Sequence, residues 1–592
     1  MFKTELLNRI DRYSNKKYLP YFIIALAAAL AYCNSFTAPF TLDDFGSIAN
    51  NYSVHELFDF SEMWKFYANR IVLYFTMSLN YVLFGNYLWS YHAVNLFIHT
   101  LNGILIFNIF KKLFSLPYFK NKPASSFVRS ISLIAALLFI CHPMQVNAVT
   151  YIIQRTASLA ATFYLLSVNL YMGYRITNRA YKLALVILSA IAAMFTKENT
   201  ITIPFMLLLI EIMFFSGDKR LKPVKKISVF ILIFLTIPVI PATNMFLHGH
   251  SLSDPDITFK ASTSMSRLEY FYTQLNVLVH YIRLLIIPVG QNFDYSNDYP
   301  ISTSIWDNHS YISLFVLLTI LLFALFCCKR NRLITFGILW FFISISVESS
   351  FISIKDVYFE HRVYLPSVGF FMFLAGVAAY ERKNDGGQVY LFRHPIMSLL
   401  FVSLLLLPIY TGLTLYRNYI YSDSIRLWND TVKKAPLSDR AHNSLATAYL
   451  NEYDEDRKNT EDLVIAEKEF KIALEINESN SIAHSNLSKV YLLMGMYSEC
   501  ISEAKRALKL SKSEYAFYNL GSAYAKTGRI NEALASFLEG YEHNQHSSFI
   551  LEALGDMYYK LGDFENAKKY YEKYHAEGMP KHKAAVSYRQ LE

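Results

Sequence analysis

Four stretches, "YFIIALAAALAY", "ISLIAALLFI", "ISVFILIFLTIPVI" and "LFVLLTILLFALF", set the terms for this chain. Each sits in an apolar run of roughly 17–25 residues, enough to cross about 30 Å of hydrocarbon as a helix. Such runs recur through the first two thirds of the 592 residues. After residue 418 the pattern changes to charged, Ala- and Tyr-rich helices. The expectation is an all-α chain: a polytopic membrane domain over 1–417, a linker with a degenerate repeat helix over 418–440, and a soluble repeat domain over 441–592. At 53% hydrophobic and 17% charged residues, the chain is too apolar for an ordinary soluble protein.

The net charge of +9 would suit a nucleic-acid partner. Its distribution argues against one, because Lys and Arg cluster in short loops between apolar runs, as orientation signals do. Cys33, Cys141, Cys327 and Cys328 fall in or at the ends of membrane segments and Cys500 in the soluble domain, with no metal or disulfide spacing. The run from Tyr18 is long and lacks a clear small-residue cleavage site, so it reads as an uncleaved first helix.

Lys3, Arg9, Arg12, Lys16 and Lys17 place the amino end inside, and the Asp43–Asp44 loop then faces out. "RIVLYFTMSLNYVLFG" is short and holds Arg70 and Asn80, so it is expected to lie in the outer interface. The same holds for 270–290, which carries Arg283. Lys111, Lys112, Lys120, Lys122 and Arg129 then fall inside, followed by Arg175, Arg179 and Lys182. The loops "GDKRLKPVKK" and "KRNR", with Arg382, Lys383 and Arg393, follow the same rule. About eleven spans result, with the carboxyl domain outside. The polar clusters "CHPMQVNAVTYIIQR", "FTKEN", "GQNFDYSNDYP" and "KDVYFEHR" land on the Asp43 side. Ionisable groups near membrane depth are costly and usually line a cavity or pathway.

From about 441 the sequence repeats. Leu487, Leu520 and Leu554 are equivalent, 33 and 34 residues apart, with Tyr491, Tyr524 and Tyr558 four later and Gly495, Gly528 and Gly562 at the helix–helix turn. Ala533 and Ala567 allow a close crossing, with Phe537 or Tyr571 beyond. An earlier copy at "AHNSLATAYL" is followed by an eight-residue insertion near "NEYDEDRKNTED". The pattern resembles the tetratricopeptide repeat, in four copies plus a cap at "LWNDTVKKAPLS". Such arrays bind peptides or proteins, or brace a neighbour.

"LDDFGSIANN", "WSYHAVNLFIHTLNGIL", "HPMQVNAVTYIIQRTASLAATFYLL", "FTKENTITIP", "YIRLLIIPVGQNFDY" and "FEHRVYLPSVGF" occur in that order through the chain. Together they resemble the TMTC family of membrane O-mannosyltransferases with tetratricopeptide repeats, and its bacterial relatives. The resemblance implies a GT-C fold and a glycosyltransferase. Such an enzyme takes one sugar from a polyprenyl-phosphate donor and passes it to Ser or Thr hydroxyls of an exported protein, with the repeat groove implied as the acceptor's binding site. Asp43 matches the first acid of the family's acidic pair, and Asp44 the second. A hydroxyl is a weak nucleophile, and a carboxylate within hydrogen-bond reach can take its proton during attack on the anomeric carbon. One such base suits inversion better than a retaining pair.

The departing lipid phosphate needs fixed cations, for which Arg155, Lys197, Arg283 and Arg362 are candidates. His142, Glu198 and Glu360 are candidates for orienting phosphate-binding groups or acceptor; Glu360 also has Arg362 within reach in sequence. Asp44 serves equally well as a loop cap, and His361 is assigned no role. Asp294 and Asp298 are a weak cation signal, so no metal and no cofactor beyond the lipid-linked co-substrate is expected. The location implied is a bacterial inner membrane with periplasmic repeats, the alternative being the endoplasmic reticulum with luminal repeats. A lipid-linked or envelope-glycan acceptor, or a non-enzymatic scaffold, are the rival readings.

Overall fold

The computed structural model describes residues 17–55, 60–119, 128–216, 222–239, 243, 265–378, 382–383, 389–390, 395–453 and 460–576. Lys3, Arg9, Arg12, Lys16, Lys120, Lys122, Arg393 and residues 217–221, expected on the inner face, lie outside them. So does 454–459, the centre of the expected insertion. Apart from a two-residue antiparallel pairing of Arg382–Lys383 with Val389–Tyr390, the described elements are helices. The chain divides into two compact units, residues 1–293 with 299–427, and residues 294–298 with 428–592.

In the first unit the helices meet where side chains are smallest. A Cβ on Gly337 would lie 2.5 Å from the Gly369 carbonyl oxygen, and one on Gly376 would lie 2.8 Å from the Ile334 nitrogen. The Arg332–Ile345 and Ser367–Ala378 helices therefore pack backbone against backbone, the small-residue contact that favours helix association in lipid. Gly103 on the Leu88–Phe114 helix likewise admits Ile140 and Ile24 from two other helices. Outward faces are apolar: Phe22, Leu26 and Leu30 on Leu19–Ala31, and Phe315, Leu322 and Phe326 on Ser310–Cys327, are exposed. An exposed apolar surface of that extent marks a face that meets lipid or protein.

Among the described residues three helices are long and apolar enough to cross a membrane: Leu88–Phe114, Glu198–Phe215 and Asp307–Cys327. Arg129–Cys141 with Pro143–Val149, bent by 54°, makes a fourth if the pair is one span. Leu19–Ala31, Ile71–Phe84, Ala180–Met194, Arg332–Ile345 and Ser367–Ala378 are apolar but shorter. They fall below the ~20 residues that a straight span requires, so a count by length stops well short of eleven. The 270–290 segment is a helix, Arg267–Ile286, started by a Ser266–Glu269 capping box.

The second unit is an array of helix pairs. Asp439–Glu452 pairs with Thr460–Ile476, Ser481–Leu493 with Tyr497–Leu510, Glu514–Lys526 with Ile530–His543, and Ser548–Lys560 with Phe564–Ala576. Gly495, Gly528 and Gly562 take φ of 76°, 75° and 78° between paired helices, a conformation side chains resist. Ala466, Ala504, Ala533 and Ala567 are fully buried at the crossings. Phe537 and Tyr571 fill the space beside Gly521 and Gly555, where a Cβ would lie 2.6 and 2.5 Å from the rings. The "LWNDTVKK" segment lies on the helix Ser424–Lys434.

Candidate active site

The helix Leu19–Ala31 ends in a loop that turns at Leu42, whose φ of +50° is a left-handed conformation rare for a branched side chain. That turn separates the two acids that follow. Asp44 points inward and is 1% exposed: its Oδ2 accepts the Thr41 N–H at 2.9 Å and its Oδ1 the Ile153 N–H at 2.7 Å. Burial raises its carboxyl above the usual range against the pull of those two bonds, and the neighbouring Asp43 charge adds to the rise. Asp43 is exposed, and its own N–H donates to the Tyr151 hydroxyl at 3.0 Å. One acid thus ties the loop down while its neighbour is exposed beside the Tyr151 hydroxyl. Backbone strain held by surrounding bonds is a recurrent property of functional loops.

Both anchors, Tyr151 and Ile153, belong to the segment 142–155, where the helix has broken at His142–Pro143. Broken helices expose backbone and polar side chains that need partners. Gln145 donates to Ser367 at 2.9 Å, Asn147 to the Tyr421 hydroxyl at 2.9 Å and Thr150 to Asn418 at 2.7 Å. Asn147 Oδ1 also faces His361 Nδ1 at 3.0 Å. A single short segment therefore holds the acidic loop on one side and the "FEHR" turn on the other.

Around His361 the cations gather. Burial and the positive charges of Lys197, Arg362 and Arg70 hold its imidazole well below the ordinary range, so the ring is neutral. Lys197 pairs with Glu348 at 2.7 Å, and Asn199 donates to the second Glu348 oxygen at 2.9 Å. Burial pushes the Glu348 carboxyl up, but Lys197 and Arg362 outweigh it and leave it below its usual value. Arg70 reaches Glu198 at 3.4 Å, and Arg362 donates to the Val357 and Asp356 carbonyls at 3.2 and 2.6 Å. Beside this cluster an apolar groove of about 550 Å³ runs between the helices Ile203–Ile210 and Arg332–Ile345, lined by Ile201, Phe205, Ile212, Phe342 and Val347.

Of the expected site residues, the structure brings together Lys197, Glu198 and Arg362, and it joins Asp43 and Asp44 to the same segment as His361. Arg155 stands apart: its fully buried guanidinium donates to Asn95 at 2.6 Å, Asn80 at 2.9 Å and the Thr76 and Tyr91 carbonyls. Arg283 is exposed and closes its own helix, donating to the Val289 carbonyl at 3.2 Å. His142 lies buried against Phe371 and Tyr410, with Nε2 at 3.2 Å from the Leu285 carbonyl. Glu360 accepts the Asn292 N–H at 2.7 Å and the Gln291 side chain at 3.2 Å.

Sequence reasoning missed Tyr151, Asn199 and Glu348, took Arg70 only as an interfacial residue, and gave His361 no role. A lone carboxylate at the end of "LWFFISISVESS" is the signal that points to Glu348. Among the described residues no group of three His, Cys, Asp or Glu side chains is placed to hold a metal ion. In the second unit Asp294 holds Arg440 through both oxygens, at 2.6 and 2.7 Å.

Comparison with known proteins adds to this geometry. Residues 515–544 and 550–574 match the tetratricopeptide repeat model. Protein O-mannosyl-transferase F38B6.6 of Caenorhabditis elegans is 27% identical over 60% of this chain and 50% of that protein. Human protein O-mannosyl-transferase TMTC1 is 24% identical over 78% of this chain and 56% of its own length. The mouse protein O-mannosyl-transferase TMTC4 is 24% identical over 61% and 56%. The chain is similar to the TMTC protein O-mannosyl-transferases. It spans about half the length of these curated relatives.

Proposed function

We propose that this chain is an integral-membrane glycosyltransferase of the GT-C kind, crossing the bilayer about eleven times. It transfers one sugar from a polyprenyl-phosphate donor to Ser or Thr hydroxyls of exported proteins. The chemistry takes place on the outer face of a bacterial inner membrane, and the repeats recruit the acceptor. The observation that carries this reading is the division within the acidic pair. Asp44 is consumed by two backbone N–H groups, and Asp43 is presented at the surface by the same loop.

In the proposed reaction Asp43 takes the acceptor proton as the hydroxyl oxygen attacks the anomeric carbon. The bond from that carbon to the lipid phosphate breaks on the opposite face, giving inversion. Lys197, Arg362 and Arg70 stabilise the phosphate as its charge develops, and Glu198 and Glu348 fix their positions. The neutral His361 supplies a hydrogen-bonding edge within the same field. The apolar groove beside Lys197 takes the first isoprene units. Arg155, His142 and Glu360 act as positioning residues for the 142–155 segment and the turn that faces it, and Arg283 stays at the rim. No step is routed through a divalent ion.

Intact-mass analysis of exported proteins, from cells with and without this chain, is expected to reveal a difference of one hexose. Asp43→Asn, inserted at normal levels, should reduce transfer by roughly 10²- to 10⁴-fold, the range for a lost general base. Donor-lipid binding should persist. Transfer at near the wild-type rate in that variant overturns the assignment.

A further inference from the structure

The helix Arg155–Thr177 carries its second polar cluster at the end opposite the acidic loop, and nothing in the proposed reaction uses it. Twenty residues at about 1.5 Å each separate Arg155 from Arg175, so the clusters lie about 30 Å apart, the thickness of a hydrocarbon core. At this end Lys112, from the close of Leu88–Phe114, and Lys182, from the start of Ala180–Met194, converge over Gly173. A Cβ at Gly173 would lie 3.5 Å from the Lys112 ammonium and 3.4 Å from that of Lys182. With no side chain on Gly173, the two cations face the same stretch of helix backbone and flank the narrow recess above it.

Among the described residues neither ammonium meets a carboxylate. Lys112 donates to the backbone carbonyl of Asn169 at 2.8 Å and to its side-chain oxygen. Lys182 donates to the Thr177 hydroxyl at 3.1 Å and to the Gly173 carbonyl at 3.4 Å. The nearby acid, Glu211, is already engaged: it accepts from Arg175 at 2.7 Å and Tyr171 at 2.9 Å, and pairs with Lys226 at 3.3 Å. Lys111 adds its field to that of the pair. Two half-buried like charges held over one glycine repel each other, and an anion seated between them relieves the repulsion. Basic recesses between membrane helices are the usual receptors for anionic headgroups.

We infer that the Lys112–Lys182 recess over Gly173 binds a phosphate group, presented by an anionic phospholipid of the leaflet opposite the acidic loop. Free phosphate offers the same chemistry, and the experiment separates the two. The full chain, purified in detergent, is incubated with phosphatidylglycerol or with phosphatidylcholine and the retained lipid counted by native mass spectrometry. Wild type should retain phosphatidylglycerol at least about tenfold over phosphatidylcholine. Lys112→Gln with Lys182→Gln should abolish that preference, and Gly173→Val, which fills the recess without removing charge, should do the same. Lys222→Gln with Lys329→Gln, which removes two exposed charges outside the recess, should leave it intact.

Thermal unfolding and elution volume certify that each variant is folded. If Gly173→Val fails that check, Gly173→Ala takes its place. Millimolar inorganic phosphate that displaces the lipid assigns recognition to the phosphate alone; persistence of the lipid assigns it to headgroup and chains together. Equal retention of the two lipids by wild type overturns the site. So does an unchanged preference in the Lys112, Lys182 variant, or an equal loss in the Lys222, Lys329 control.

Discussion

The two units of this chain are both helical and both pack closely at glycines, but they differ in how their interiors are sealed. The repeat unit is sealed by shape: Ala466, Ala504, Ala533 and Ala567 lie at the crossings, and aromatic rings fill the space beside glycines. The membrane-type unit is sealed by polar pairing as well, with Asn95, His99, Asn102 and Arg155 buried among carbonyls, amides and hydroxyls and Asp44 held by backbone N–H groups. A shape-sealed interior tolerates exchange of polar surface residues and punishes added volume. A polar interior adds a second sensitivity to that one, because each removed donor strands an acceptor that water cannot reach.

Four substitutions sharpen that contrast. The largest effect is expected from Arg155→Met, which strands the Asn95 and Asn80 side chains and two carbonyls. Stability of the purified chain should fall by about 3 kcal/mol or more, read as the loss in thermal midpoint. Asp44→Asn comes next. One of its atoms becomes an NH₂ facing an N–H donor, so a loss of roughly 1–3 kcal/mol is expected. Transfer should fall with it although Asp43 is untouched, and unchanged activity and midpoint together would remove Asp44 from the scaffold.

Gly555→Ala tests the other interior. Its new methyl meets the Tyr571 ring at 2.5 Å, and overpacking of this kind costs about 1–3 kcal/mol. Helix content of the carboxyl unit on heating, followed in the full chain, should report it while sugar-transfer chemistry stays intact. The smallest effect belongs to His442, whose Nδ1 lies 2.6 Å from Glu469. Burial lowers its imidazole pKa, but Glu469 and the Pro436 carbonyl more than reverse this and raise it. A raised folded-state value favours the protonated form. Its stabilisation is therefore complete below about pH 6.5 and is lost as pH rises through the folded-state value. His442→Gln should remove that slope, with an amplitude under about 1 kcal/mol because the pair is partly exposed. Melts of both chains at pH 6 and pH 9 decide it.

The contrast also explains what the sequence reveals. Each repeat buries its own period, so Leu487, Leu520, Leu554 and the turn glycines were readable from spacing alone, and the helix pairs fall where that spacing puts them. The position of the Asp43–Asp44 pair after the first helix was readable too. Which acid is buried was left open, because that depends on an N–H at Ile153, over a hundred residues away. Arg155 looked like a phosphate ligand because sequence displays its charge but not the Asn95 and Asn80 oxygens that take up its donors. Glu348 passed unnoticed for the converse reason: its partners Lys197 and Asn199 lie about 150 residues upstream.

The break at His142–Pro143 has a further consequence, for the order in which the protein is completed. The freed segment is held by Ser367, Asn418 and Tyr421, contacts that span 222, 268 and 274 residues. Asn418 in turn donates to the Ala31 carbonyl at 3.0 Å, just before the acidic loop. Contacts so distant along the chain form only after long loops have closed. The surface that presents Asp43 is thus assembled from the helices Leu19–Ala31 and Pro395–Tyr421. During synthesis that surface stays unfinished until residue 421 has emerged, so a half-made chain lacks the contacts that hold the acidic loop.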